Sequence, residues 1–107
     1  METSELNALY NIMVETDPEH IPFREANTRR RPIVERKQMF TALARSFGAK
    51  WREIAAFLGW NGHGNAVIAA KRMRGYIDVY PDMKRRYREI RDEYEFRVLG
   101  CFIWVPD

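Results

Sequence analysis

The chain has 107 residues, 46% of them hydrophobic and 31% charged, with a net charge of +3, six glycines and one cysteine. That length suits one domain that buries a modest core without metal or disulfide staples, and the composition excludes wholesale disorder. Cys101 has no partner for an intramolecular bridge, no charged-then-apolar leader is present, and VLGCFIWVP falls far short of the ~20 apolar residues of a membrane span, so a soluble cytoplasmic protein is expected.

Charge is spread unevenly. Residues 1–23 hold five acids and no Lys or Arg, residues 24–91 hold seventeen of the eighteen basic residues against six acids, and residues 92–107 hold four acids and Arg97. A basic middle between acidic ends points to an anionic partner, although the same charges also suit an ordinary solvated helical surface.

In chain order, Ser4 is placed to cap a first helix in which Leu6, Leu9, Tyr10 and Met13 share a face. It should end near Asp17-Pro18, because proline disfavours helix in the residue before it. EHIPFREANTRRRP reads as a connector broken by Pro22 and Pro32, with Ile21 and Phe23 anchored on the core. A second helix opens near Pro32, turns Ile33, Phe40, Leu43, Ala44 and Phe47 inward, and ends at Gly48. Trp51, Ile54, Ala55 and Leu58 mark a short third helix with Gly59 as its left-handed C-cap.

The glycines of GWNGHG interrupt the helix, and Asn65 reads as the N-cap of a fourth, AVIAAKRMRGYI, with Val67, Ala70, Met73 and Ile77 buried. A second break is expected from Gly75 to Pro81. Pro81 and Asp82 then open a last helix with Met83, Tyr87, Ile90, Tyr94 and Val98 inward, closed by Gly100. CFIWV is apolar and β-prone, and it packs on the core, pairs as a strand or covers a partner's surface. The expected fold is all-α, one domain of about five helices: an acidic first helix and linker over 1–23, a core over 24–77, and a last helix with an apolar tail over 78–107. Its centre, residues 51–77, has the short helix, glycine turn and longer helix of a helix-turn-helix.

Catalytic chemistry has little to work with. GxxxxGK[ST] is absent, and the glycines of GWNGHG follow a helix with G-x-x-G-x-G spacing, which is not the dinucleotide fingerprint. His20, His63 and Cys101 are too few and too scattered for a zinc site. Glu53 and His63 could approach across the turn, but nothing supplies a nucleophile or an oriented base. No enzymatic activity, cofactor or metal is expected.

Nucleic-acid binding has several supports. Arg29, Arg30 and Arg31 form a triplet ahead of a helix, where such arms reach phosphates or a narrow minor groove. Lys50 and Arg52 lie where the third helix would cross a DNA backbone. Asn61, His63 and Asn65 stand at the entrance of the fourth helix; Asn can bond adenine bidentately, and His can donate to a guanine or a phosphate. Equally, Asn61 and Asn65 are suited to turn and cap duties. Gly62 and Gly64 would allow close backbone approach, and Lys71, Arg72 and Arg74 suit flanking phosphates. The basic residues of KRRYREIR read best as the solvated side of an amphipathic helix.

RPIVERKQMFTALAR, residues 31–45, resembles the opening of the C-terminal duplex-binding domain of the bacterial replication initiator DnaA, approximately R-x-I-V-x-x-R-Q-x-A-M-Y-L-x-R. Arg31, Ile33, Val34, Gln38, Leu43 and Arg45 match, with Lys37 in place of an Arg. EIAAFLG, residues 53–59, is similar to the family's E-I-G-x-x-F-G segment one residue out of register, and NAVIAAKRM is similar to S-T-V-I-H-A-x-K-x. The resemblance covers residues 29–77. It implies a stand-alone, Trp-repressor-like helix-turn-helix domain in which Arg31 enters the minor groove, Lys50 or Arg52 holds phosphate, and the turn with the start of the second helix reads bases. The family's D-H-T/S-T core is replaced: aligning on His63 gives GHGN, and aligning on AVIAA puts Gly64 where the histidine belongs. What is implied is therefore duplex binding by the same fold, without the initiator's own box and without an ATPase domain.

The expected function is double-stranded DNA binding by a transcriptional or replication-associated regulator of a bacterium or phage. A homodimer through the last helix or the apolar tail would fit paired half-sites. Two other readings stay open. A protein-interaction module would keep the helical fold without base readout, and an RNA-binding domain would need exposed stacking aromatics, whereas Trp51, Phe57, Tyr87 and Tyr94 lie on apolar stripes.

Overall fold

The first helix starts ahead of its expected cap. In the computed structural model, which describes residues 1–26 and 29–100, α1 spans Thr3–Thr16. Glu5 reaches back to accept the Glu2 amide at 2.8 Å, satisfying a donor that a helix start otherwise leaves open. The cap is therefore Glu2, and Ser4 lies exposed in the first turn. Leu6, Leu9, Ile12 and Met13 are buried along one stripe. Asp17 ends the helix and accepts the amides of Glu19 at 3.1 Å and Ile21 at 3.2 Å. That turn delivers Phe23 into the core, its ring 4.9 Å from Tyr10 and 6.1 Å from Phe40.

The other helices pack around α2, Arg31–Ser46. Residues 38–44 are buried without interruption, so the middle of α2 is covered all round and not along a single stripe. Thr41, polar within that run, donates from Oγ1 to the Lys37 carbonyl at 2.8 Å. Gly48 ends α2 at φ +98°, and the Ala49 amide returns to the Ala44 carbonyl at 3.0 Å. α3 spans Trp51–Leu58, with Glu53 accepting the Lys50 amide at 2.7 Å. It closes at Gly59, φ +75°: the Trp60 amide donates to Ala55 at 2.8 Å and the Gly59 amide to Ala56 at 3.2 Å. This is a Schellman closure, and a residue without Cβ adopts its left-handed angle at least cost.

α4 runs His63–Val79, longer at both ends than its sequence suggested. Gly62 is the N-cap, in extended conformation, so Asn65 sits inside the first turn and caps nothing. Gly64 is helical despite a propensity penalty of about 1 kcal/mol. Burial of Ala66, Ala69, Ala70 and Met73 where α4 packs on α2 and α3 outweighs it. Gly75 is likewise helical, and the expected break there falls instead at Tyr80, which is extended because Pro81 follows.

α5, Pro81–Tyr94, packs on α1 and α4. Arg86 donates to the carbonyls of Met13 at 3.1 Å and Thr16 at 3.4 Å, satisfying the end of α1. Tyr94 is buried 4.4 Å from the ring of Phe47. A π-helical turn, Glu95–Leu99, follows and ends at the left-handed Gly100. The CFIWV segment lies outside the described residues. Among the described residues the fold is all-helical, and no helix is long and apolar enough to cross a membrane.

Candidate nucleic-acid interface

The turn between α3 and α4 decides which side chains project. Gly59 reverses the chain and Gly62 carries it extended into α4, leaving Asn61, His63 and Asn65 exposed at the helix start. No acid occupies that first turn, and the unpaired amides of a helix start favour negative charge nearby.

On one side of this turn lies a hollow of about 670 Å³. Arg29, Lys37 and Gln38 line it from the connector and α2, Trp60 and Asn61 from the turn, and Asn65, Ile68 and Arg72 from α4. The 65, 68, 72 spacing keeps those three on one helical face. Lys37 donates to the Ala26 carbonyl at 3.0 Å, and burial draws its pKa down. Gln38 is 5% exposed, and its buried Oε1 has no hydrogen-bond partner among the described residues. The side chains of Arg29, Asn61, Asn65 and Arg72 are exposed and have no hydrogen-bond or ion-pair partner among the described residues.

On the other side, Lys50, Arg52 and His63 share a hollow of about 480 Å³ with Arg45 and Trp51. The Arg45 guanidinium lies 4.4 Å from the centre of a Trp51 ring and donates to the Ala49 carbonyl at 3.1 Å. These contacts hold the start of α3 against the end of α2. Lys50 and Arg52 are exposed and form no ion pair among the described residues.

The structure thus gathers Arg29, Asn61, Asn65 and Arg72 in one hollow and Lys50, Arg52 and His63 in the other. It brings Arg31 to neither. Arg31 is the first residue of α2, pairs with Glu35 at 3.0 Å, and lines a separate hollow with Tyr76 and Tyr80. At 1.5 Å per residue, Tyr76 lies about 17 Å along α4 from Asn65. The arginine triplet is therefore divided, with Arg30 exposed at the N-cap of α2. Lys71 and Arg74 are exposed on α4 outside these hollows.

Among the residues that line these hollows, Lys37, Gln38, Trp60 and Ile68 on one side and Arg45 and Trp51 on the other were not expected as site residues from the sequence. Val34, Lys37 and Gln38 share a face by spacing, but which face of an enveloped helix opens to a hollow is a tertiary matter. Arg45 reaches Trp51 only because Gly48 reverses the chain between them.

Acids leave this region largely uncompensated. Between residues 29 and 77 only Glu35 and Glu53 are acidic. Glu35 holds Arg31, and Glu53 accepts the Lys50 amide. The acids of the first stretch act elsewhere: Asp17 and Glu19 pair with Arg36, and Glu15 pairs with Arg97. Basic side chains therefore predominate in the two hollows beside the start of α4 despite the modest net charge. No family model matches the chain, and no curated protein or solved structure is significantly similar to it.

Proposed function

We propose that this protein binds double-stranded DNA, with α3, the glycine turn and α4 acting as a helix-turn-helix whose second helix enters the major groove. One observation carries the reading. Arg29, Asn61, Asn65 and Arg72, drawn from three separate stretches, line one hollow beside the start of α4 with their side chains unpartnered among the described residues. The guanidinium groups suit phosphates and the amides suit base edges. Lys50, Arg52 and His63 meet the backbone on the other side, positioning the helix without reading sequence. Arg29 takes the connector's role in place of Arg31, which Glu35 already engages. The resemblance of residues 31–45 to the DnaA duplex-binding domain supports the same reading, and a replication-associated or transcriptional regulator without enzymatic activity is its biological form.

Fluorescence anisotropy of a labelled random duplex across a salt series tests this. Binding that weakens steeply with salt, and weakens further in Arg29→Ala and Arg72→Ala, is the expected result. No binding at low salt would overturn the proposal. A protein-interaction module on the same fold is the second reading, favoured by the exposed Val79 and Tyr80 at the far end of α4.

A further inference from the structure

We infer that Ile68 reads a thymine through its C5-methyl group, an inference that rests on the DNA reading above. Ile68 is 50% exposed and lines the same hollow as Asn61, Asn65 and Arg72. It belongs to the outward side of α4, opposite the side on which Ala66, Ala70 and Met73 pack. An isoleucine there is unfavourable in two ways: it leaves branched apolar surface in water, and β-branching lowers helix propensity. Its helix neighbours three and four residues away are Gly64, Asn65, Lys71 and Arg72, and Val34 and Trp60 line the hollow with it, so its apolar tip stands among small, polar and basic helix neighbours.

The space beside that tip is open. Gly64, one turn earlier, carries no side chain and has open space where a Cβ would stand, so that position does not fill the approach to Ile68 from the start of the helix. Thymine presents a methyl in the major groove beside its acceptor, and apolar side chains make contact with that methyl. Asn65, three residues before, and Arg72, four after, supply an amide and a guanidinium on the same face. A methyl contact between two polar ones fixes which base lies opposite the middle of the face.

The test removes the methyl and nothing else. Sites are enriched by the full chain from a randomised duplex pool, and each thymine of the enriched sequence is replaced in turn by deoxyuridine. One replacement weakens wild-type binding about fourfold, the worth of one buried carbon group. Ile68→Ala binds the thymine and deoxyuridine duplexes equally, whereas Ile68→Val, which keeps a branched apolar tip, retains the difference. Wild-type affinity unchanged by every replacement, or undiminished sensitivity in Ile68→Ala, would overturn the assignment while duplex binding itself stands. Duplex binding without enrichment of any sequence overturns it as well, and absence of binding to every duplex at low salt removes the DNA reading together with it.

Discussion

The Asp17 carboxylate and the Arg36 guanidinium meet in a bidentate contact, Nε to Oδ2 at 2.7 Å and Nη2 to Oδ1 at 2.9 Å. Arg36 also donates to the Pro32 carbonyl at 2.9 Å and to Glu19 at 3.1 Å. One side chain therefore joins the end of α1 and the connector to the first turns of α2, just beyond the point where Arg29 and Arg30 leave the connector.

Acid should loosen this junction. The Arg36 hydrogen bonds hold the Asp17 carboxyl at about 2, below its ordinary 3.8, and Asp17 is 4% exposed. A carboxyl depressed in the folded state contributes stability above its unfolded pKa and loses it as pH falls through the folded value. About 2 kcal/mol should disappear between pH 4 and pH 2. Urea midpoints across that range should fall for wild type and stay flatter for Asp17→Asn. Arg36→Met should cost about 3 kcal/mol at neutral pH, because it leaves the buried carboxylate unpaired.

The same substitution at two glycines should act in opposite directions. Neither Gly59 nor Gly75 has an atom within 4 Å of a built Cβ, but only Gly59 has a positive φ. Gly59→Ala should destabilise by about 1 kcal/mol through left-handed strain. Gly75→Ala should stabilise by about 1 kcal/mol through helix propensity. Thermal or urea midpoints of the two variants check both signs.

Removing Arg29 or Arg72 should lower the slope of log affinity against log salt by about one for each phosphate no longer neutralised. Arg31→Ala should change it little, because that guanidinium is engaged by Glu35. A larger effect in Arg31→Ala than in Arg29→Ala would favour the register implied by the DnaA resemblance over the one proposed from the hollow.

Arg86→Met should detach α5 from the end of α1. The guanidinium binds the Met13 and Thr16 carbonyls and the Thr16 hydroxyl, the last at 3.0 Å. Its removal should cost about 1 kcal/mol in a partly exposed setting. Hydrogen exchange should rise first in the last turn of α1.

Much of the helical framework was legible in the residues themselves. Leu6, Leu9 and Met13, or Ile54, Ala55 and Leu58, announce a buried stripe because residues three and four apart share a face. Pro81, Gly48 and Gly59 announce boundaries because their backbone limits or freedoms are local. Asn61, Asn65 and Arg72 could be assigned to the neighbourhood of α4 for the same reason.

Tertiary packing decided the rest. Local propensity argues against Gly64 and Gly75 in a helix, and only burial of Ala66, Ala69, Ala70 and Met73 against α2 and α3 carries α4 through both. Three adjacent arginines look equivalent along the chain. Once α2 begins at Arg31, its side chain turns to Glu35 and Tyr76, while Arg29 falls beside Asn61 and Arg72. Periodicity tells which residues share a face within a few turns. Which faces of different helices meet depends on how the whole core closes, and that energy is collected from residues far apart in the chain.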